Sequence, residues 1–192
     1  MRPLRQLPAV FSYSEARATG LSDQALRKLR ADGSVELLSR GIYRRTDVET
    51  AEIELSEIVL RAPKATLCLT TALSRHDLTD AIPRTMDVAL PQGTWLPRLS
   101  IPVTWHKFAR ATFEIGRETV RIDNHRIGLY DAPRSIVDTF RMRHLEGYEL
   151  AIEALKRWLR KRGSQPSALL AMAHRVDPRS EAALRKAMEI LL

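Results

Sequence analysis

The sequence predicts an α+β protein: a small N-terminal unit of helices and a hairpin, then a larger region in which strands precede helices. Three observations predict it. Serine and glycine signals divide residues 12–33 into two short helical runs. Two β-prone runs joined by Arg40-Gly41 follow at once. Farther along, short strand-like runs give way to apolar stripes at helical spacing. The units divide at 1–47 and 48–192.

"MRPLRQLPAVF" is interrupted by Pro3 and Pro8, which shortens any first helix. Leu4, Leu7, Val10 and Phe11 are expected to supply its packing instead. In "FSYSEARATG" Ser12 caps a short helix, Glu15 three residues on completes a capping box, and Gly20 closes it. "LSDQALRKLRADG" is a second helix, capped by Ser22 and ended by Gly33. Only Gly20 and Leu21 separate the two. "VELLS" and "IYRRT" then form a hairpin, because a two-residue turn ending in glycine accepts positive φ without steric cost. Helix, tight turn, helix and hairpin is the order of a winged helix-turn-helix.

The second region opens on "DVETAEIELSEIVLRAP", a linking helix with Ala51, Leu55, Ile58 and Val59 at helical spacing. "TALSRHDL" is helical. "MDVALP", "IPVTWHK", "ETVRID" and "RIGLYD" are strands, the last two joined as a hairpin. "DAPRSIVDTFRMR" is a helix capped by Asp131, with Ile136, Val137 and Phe140 on one face. In "YELAIEALKRWLRKRG" the stripe Leu150, Ala151, Ala154, Leu155, Trp158, Leu159 runs until Gly163. Asp177-Pro178 starts a last helix through Ala183, Leu184, Ala187 and Leu191.

The net charge of +8 is unevenly placed: residues 1–47 carry +4, 48–140 carry −1 and 141–192 carry +5. Two basic ends around a neutral middle favour a polyanionic partner. Cys68 is the only cysteine, so neither an intrachain disulfide nor a CxxC metal site forms. A reducing cytoplasm is the expected compartment. No apolar run approaches the roughly 20 residues of a membrane span, and "LPAVF" is too short for a signal peptide.

The basic residues of 25–45 follow the elements that would face a duplex. On the second helix Ser22, Ala25, Leu26 and Leu29 gather on one side; Gln24, Arg27, Lys28 and Ala31 lie opposite, with Arg30 at the border. Arginine can grip guanine O6 and N7, glutamine can pair with adenine, and lysine can reach guanine or phosphate. Arg40 at the hairpin tip, with Arg44 and Arg45 behind it, suits phosphate or minor-groove contacts. Solvated helix faces also carry such residues, so the topology strengthens the reading more than the charge does.

"YSEARATGLSDQALRKLRADGSVELLSRGIYRR" resembles the N-terminal domain of AbiEi-type antitoxins, the transcriptional regulators of type IV toxin–antitoxin systems. "TTALSRHDLTDAIPRTMDVALPQGT" and "LYDAPRSIVDTFRMR" resemble their C-terminal domain. The resemblance implies a bacterial protein that binds inverted repeats in double-stranded DNA upstream of its own operon, with self-association on that DNA. It also implies a paired nucleotidyltransferase-type toxin whose effect the antitoxin opposes. Carried over by position, the DNA contacts fall on Gln24, Arg27, Lys28, Arg40 and Arg44.

Other chemistry is thinly supported. His76, His106, His125, His144 and His174 lack metal-ligand spacing. The His76-Asp77 pair reads as a cap or packing detail, and Cys68 as a buried thiol. Glu114, Glu118 and Asp123 are loosely spaced candidates for a Mg²⁺-dependent nuclease site. No phosphate loop or nucleophile elbow is present, so neither enzyme activity nor a cofactor is expected. Lys156, Arg157, Arg160, Lys161 and Arg162 form a second basic surface, read either as helix-end cations or as a further polyanion contact. The alternative to a DNA reader is a protein–protein module whose DNA binding is lost with the shortened first helix.

Overall fold

The computed structural model describes residues 2–50 and 52–191, so Ala51 of the expected linking stripe lies outside the described residues. The chain forms two compact units. One comprises residues 1–65 with 96–102 and 120–127; the other comprises 66–95, 103–119 and 128–192.

The first unit runs α1 (Arg2–Arg5), β1 (Val10–Ser12), α2 (Tyr13–Ala18), α3 (Asp23–Ala31), β2 (Val35–Ser39), β3 (Ile42–Arg45) and α4 (Ile53–Arg61). Each local signal does its expected work. Ser12 and Glu15 make the reciprocal capping box, and the Ser22 hydroxyl accepts from the Ala25 amide. Gly41 sits at φ 73° in the two-residue turn between β2 and β3, where any L side chain is strained. The order of two short helices and a hairpin is that expected from the sequence, with one addition. Residues 10–12 form a strand antiparallel to β3, giving a three-stranded sheet in the order β1-β3-β2.

That strand explains how so short a first helix suffices. Strand parity turns Phe11 and Tyr43 to one face, where their rings stack at 5.7 Å. Leu4, Leu7, Ala16, Leu21, Leu26, Leu29 and Val35 close around them. Val10 points the other way: it is buried opposite Arg44, on the sheet face left for α4, which packs against β1 and β3. Three of the four expected residues thus supply the packing that the short α1 alone does not, and Val10 serves the second face.

Segment 96–102 joins this unit through Ser100, whose amide donates to Glu57 Oε1 at 3.0 Å. Segment 120–127 joins it through Asp123, which accepts from the Thr50 hydroxyl at 2.7 Å, and through His125, whose ring lies 3.0 Å from the Val10 carbonyl.

In chain order the remaining elements are β4 (Thr66–Leu67), α5 (Leu69–Arg75), β5 (Met86–Pro91), β6 (Val103–Phe108), α6 (Arg110–Phe113), β7 (Arg117–Ile122), β8 (His125–Tyr130), α7 (Ala132–Arg141), α8 (Arg143–Glu146), α9 (Tyr148–Arg160), α10 (Pro166–Val176) and α11 (Pro178–Leu191). The sheet order is β6-β5-β4-β8-β7; β4 runs antiparallel to β5 and parallel to β8, and β5 runs parallel to β6. Its centre is tight. A Cβ on Gly128 would lie 2.5 Å from Thr66 Oγ1 and 2.7 Å from Arg117 Nε, so only glycine fits beside β4 there. Asp131 caps α7 as expected, and α7 carries Ile136, Val137 and Phe140 into an apolar core shared with α5, α9, α10 and α11.

Candidate nucleic-acid interface

Ser22 starts α3, and Leu26 and Leu29 anchor it to the core beneath. Their burial leaves Gln24, Arg27, Lys28, Arg30 and Ala31 exposed on the outer surface. Gln24, Lys28 and Arg30 make no ion pair and no side-chain hydrogen bond among the described residues. Arg27 folds back along the helix, its Nε–H donating to the Asp23 carbonyl at 3.4 Å.

The N-terminal end of α3 is organised by two residues that the sequence reading passed over. The Tyr13 hydroxyl donates to Asp23 Oδ1 at 2.7 Å, and this hydrogen bond raises the phenol above its ordinary pKa. Arg17 lies 3.7 Å from the same oxygen. Tyr13, Asp23, Leu26, Arg27, Arg30 and Tyr43 line a groove of about 190 Å³ between α3 and the hairpin. Asp23 was legible as an acid in the first turn of a capped helix. Nothing local links it to Tyr13, ten residues earlier. At the other end of α3, hydrogen bonds from Ser34 hold Asp32 below the usual carboxylate range.

The three hairpin arginines have separate fates. Arg40 is exposed at the turn, and its carbonyl accepts from Arg61 at the end of α4, which braces the tip. Arg44 is half-buried on the α4 side of the sheet, 3.9 Å from its cross-strand neighbour Glu36. Arg45 corrects the expectation of a DNA-facing side chain. It is only 8% exposed; Nε and Nη2 donate to Asp47 at 2.9 and 2.8 Å, and Nη1 donates to the Leu7 carbonyl at 2.8 Å. Arg45 therefore ties β3 to the N-terminal segment. Its guanidinium holds the Asp47 carboxyl below its ordinary pKa.

The second basic surface is partly spent within its own unit. Arg157 pairs with Asp80 through both terminal nitrogens, one at 2.8 Å, and with Glu153 at 2.7 Å. The same guanidinium holds Asp80 below the usual carboxylate range. Lys161 donates to the His76 carbonyl and lies 4.0 Å from Asp77. Lys156, Arg160 and Arg162 are exposed and form no ion pair among the described residues.

The remaining candidates have structural employment. His76 Nε2 lies 2.7 Å from the Tyr130 carbonyl, and Cys68 is a fully buried thiol. Glu114 pairs with Arg117 at 3.6 Å, and among the described residues no group of His, Cys, Asp and Glu could hold a metal ion. Arg134 is wholly buried, at 0% exposure: Nε donates to Asp138 at 2.8 Å, Nη1 to the Thr112 and Ile115 carbonyls, and the guanidinium lies 4.3 Å from the Tyr130 ring centroid. No described helix is long and apolar enough to cross a membrane.

A search of curated proteins returns no significant match. A family model does match, over the segment from the end of α1 through β3: residues 4–46 are similar to the family described as "Transcriptional regulator, AbiEi antitoxin".

Proposed function

We propose that this chain is a DNA-binding autorepressor and the antitoxin of a type IV toxin–antitoxin system, opposing a nucleotidyltransferase-type toxin in the bacterial cytoplasm. Residues 1–47 serve as the DNA-binding region and 48–192 as the antitoxin region. The observation that carries the reading is the outer face of α3: Gln24, Arg27 and Lys28 stand exposed and form no ion pair within 4 Å among the described residues, in a segment matched by a regulator family. Such a helix can enter the major groove with its N-terminal residues against base edges. Arg40 at the braced hairpin tip supplies a phosphate or minor-groove contact, and Arg30 borders the helix face. Lys156, Arg160 and Arg162 form a separate basic surface on the second unit, suited to a polyanion. The regulator acts by binding, without a cofactor or a catalytic step of its own.

Fluorescence anisotropy against labelled DNA from upstream of the gene, with a scrambled duplex as control, tests this at about 50 and 200 mM salt. Salt-sensitive binding that prefers the native duplex is the expected result. Equal affinity for both duplexes would reduce the protein to a nonspecific polycation, and no binding at either salt would move its basic faces to a protein partner.

A further inference from the structure

We propose that Asp23 reads a cytosine in the major groove, with Tyr13 holding its carboxylate in position. This inference rests on the DNA-binding reading above and adds an acidic side chain at the start of α3 to it.

Asp23 is the first residue of α3, one position before Gln24 and one helical turn before Arg27. Recognition helices present this end to base edges. The Asp23 side chain is 57% exposed, so neither burial nor packing accounts for its placement. Both of its contacts fall on Oδ1: the Tyr13 hydroxyl at 2.7 Å and Arg17 at 3.7 Å. Oδ2 has no hydrogen-bond partner among the described residues. The carboxylate is therefore oriented from one side and open on the other.

Its chemistry is selective. An ionised carboxylate only accepts hydrogen bonds, so it gains nothing from phosphates and is repelled by them. In the major groove cytosine offers the N4 amino donor without a neighbouring acceptor on the same base, whereas adenine sets N7 beside its N6 donor. A carboxylate at this place thus favours cytosine and disfavours guanine and thymine. Arg27 supplies the complementary half. Its Nε–H reaches back to the Asp23 carbonyl at 3.4 Å, and both side chains line the same groove. An acceptor and a guanidinium donor are presented side by side, a pairing suited to cytosine and guanine on one pair or on adjacent pairs.

An acid in the first turn of a helix also complements the helix dipole. That role is blind to base identity, which separates the two readings experimentally. The native upstream duplex and a set with each position substituted in turn would be titrated with wild type, Asp23→Ala and Tyr13→Phe, folding of each being checked by circular dichroism. Wild type is expected to prefer cytosine at one position of the half-site by about tenfold. In Asp23→Ala that preference falls below about twofold while binding to scrambled DNA strengthens slightly, because a repulsive charge is gone. Tyr13→Phe keeps the cytosine preference but weakens it to about threefold, as expected of a positioning residue. An Asp23→Ala profile that matches wild type at every position, or that loses affinity equally on all duplexes, overturns the assignment while the DNA-binding reading stands. Wild type that binds no duplex overturns both.

Discussion

The two basic regions carry similar charge in the sequence, +4 over residues 1–47 and +5 over 141–192, yet they hold it differently. On α3, Gln24, Lys28 and Arg30 are exposed and form no ion pair among the described residues, and the Arg27 Nε–H donates to a backbone carbonyl. On α9, Arg157 is engaged by Asp80 and Glu153, and just beyond its end Lys161 reaches the His76 carbonyl. Arg134 marks the far limit, wholly buried and bonded to Asp138. Net charge is therefore a poor guide to available charge. What a polyanion can use depends on which cations the protein has already neutralised.

The strongest challenge to this contrast is the buried pair. Asp138→Ala would leave Arg134 uncompensated at 0% exposure and should destabilise the second unit by about 3–5 kcal/mol. Urea unfolding with a midpoint near that of wild type would mean that Arg134 finds other partners and that burial does not bind the charge so tightly.

Next comes Arg45, which belongs to the N-terminal cluster by sequence and to the core by structure. Arg45→Ala removes three side-chain hydrogen bonds and should cost about 2 kcal/mol in stability. At temperatures where the variant stays folded, the salt dependence of DNA binding should not change. A reduced slope would return Arg45 to the interface.

A smaller effect separates the exposed cations. Lys28→Ala should reduce the slope of log affinity against log salt by about 1 and weaken binding on all sequences alike. Arg157→Ala should leave that slope unchanged, since its guanidinium is already occupied. Parallel shifts in both variants would erase the distinction between the two surfaces.

The smallest effect is a pH dependence. Asp47 is held below its ordinary pKa by Arg45, so its contribution to stability is present above about pH 4 and disappears as the pH falls through its lowered folded value. Asp47→Asn should flatten that part of the acid unfolding curve. An unaltered acid limb would show that the pair contributes nothing through titration.

The signals legible in the sequence were those that act over a few residues. Ser12 with Glu15, Ser22 and Asp131 stand at helix starts, and Gly41 closes the hairpin turn, because caps and turns are satisfied by near neighbours. "MDVALP" became β5 without a shift of either end. Strand β1, with three residues, and β4, with two, were too short to show any periodicity. Helix α10 went unrecognised because "PSALLAMAHRV" is apolar nearly all round and has no side-chain cap.

By itself, then, the sequence determined the order of two helices and a hairpin over residues 12–45, the outward face of α3 and the family resemblance that residues 4–46 bear out. Only the tertiary structure decided which arginines remain free. Adjacent residues on a strand face opposite sides, so Arg44 and Arg45 part company as soon as β3 pairs with β1. Asp80 lies 77 positions from Arg157, and Tyr13 ten from Asp23. No local rule joins such residues, because a hydrogen bond between distant positions exists only after the backbone has brought them within reach.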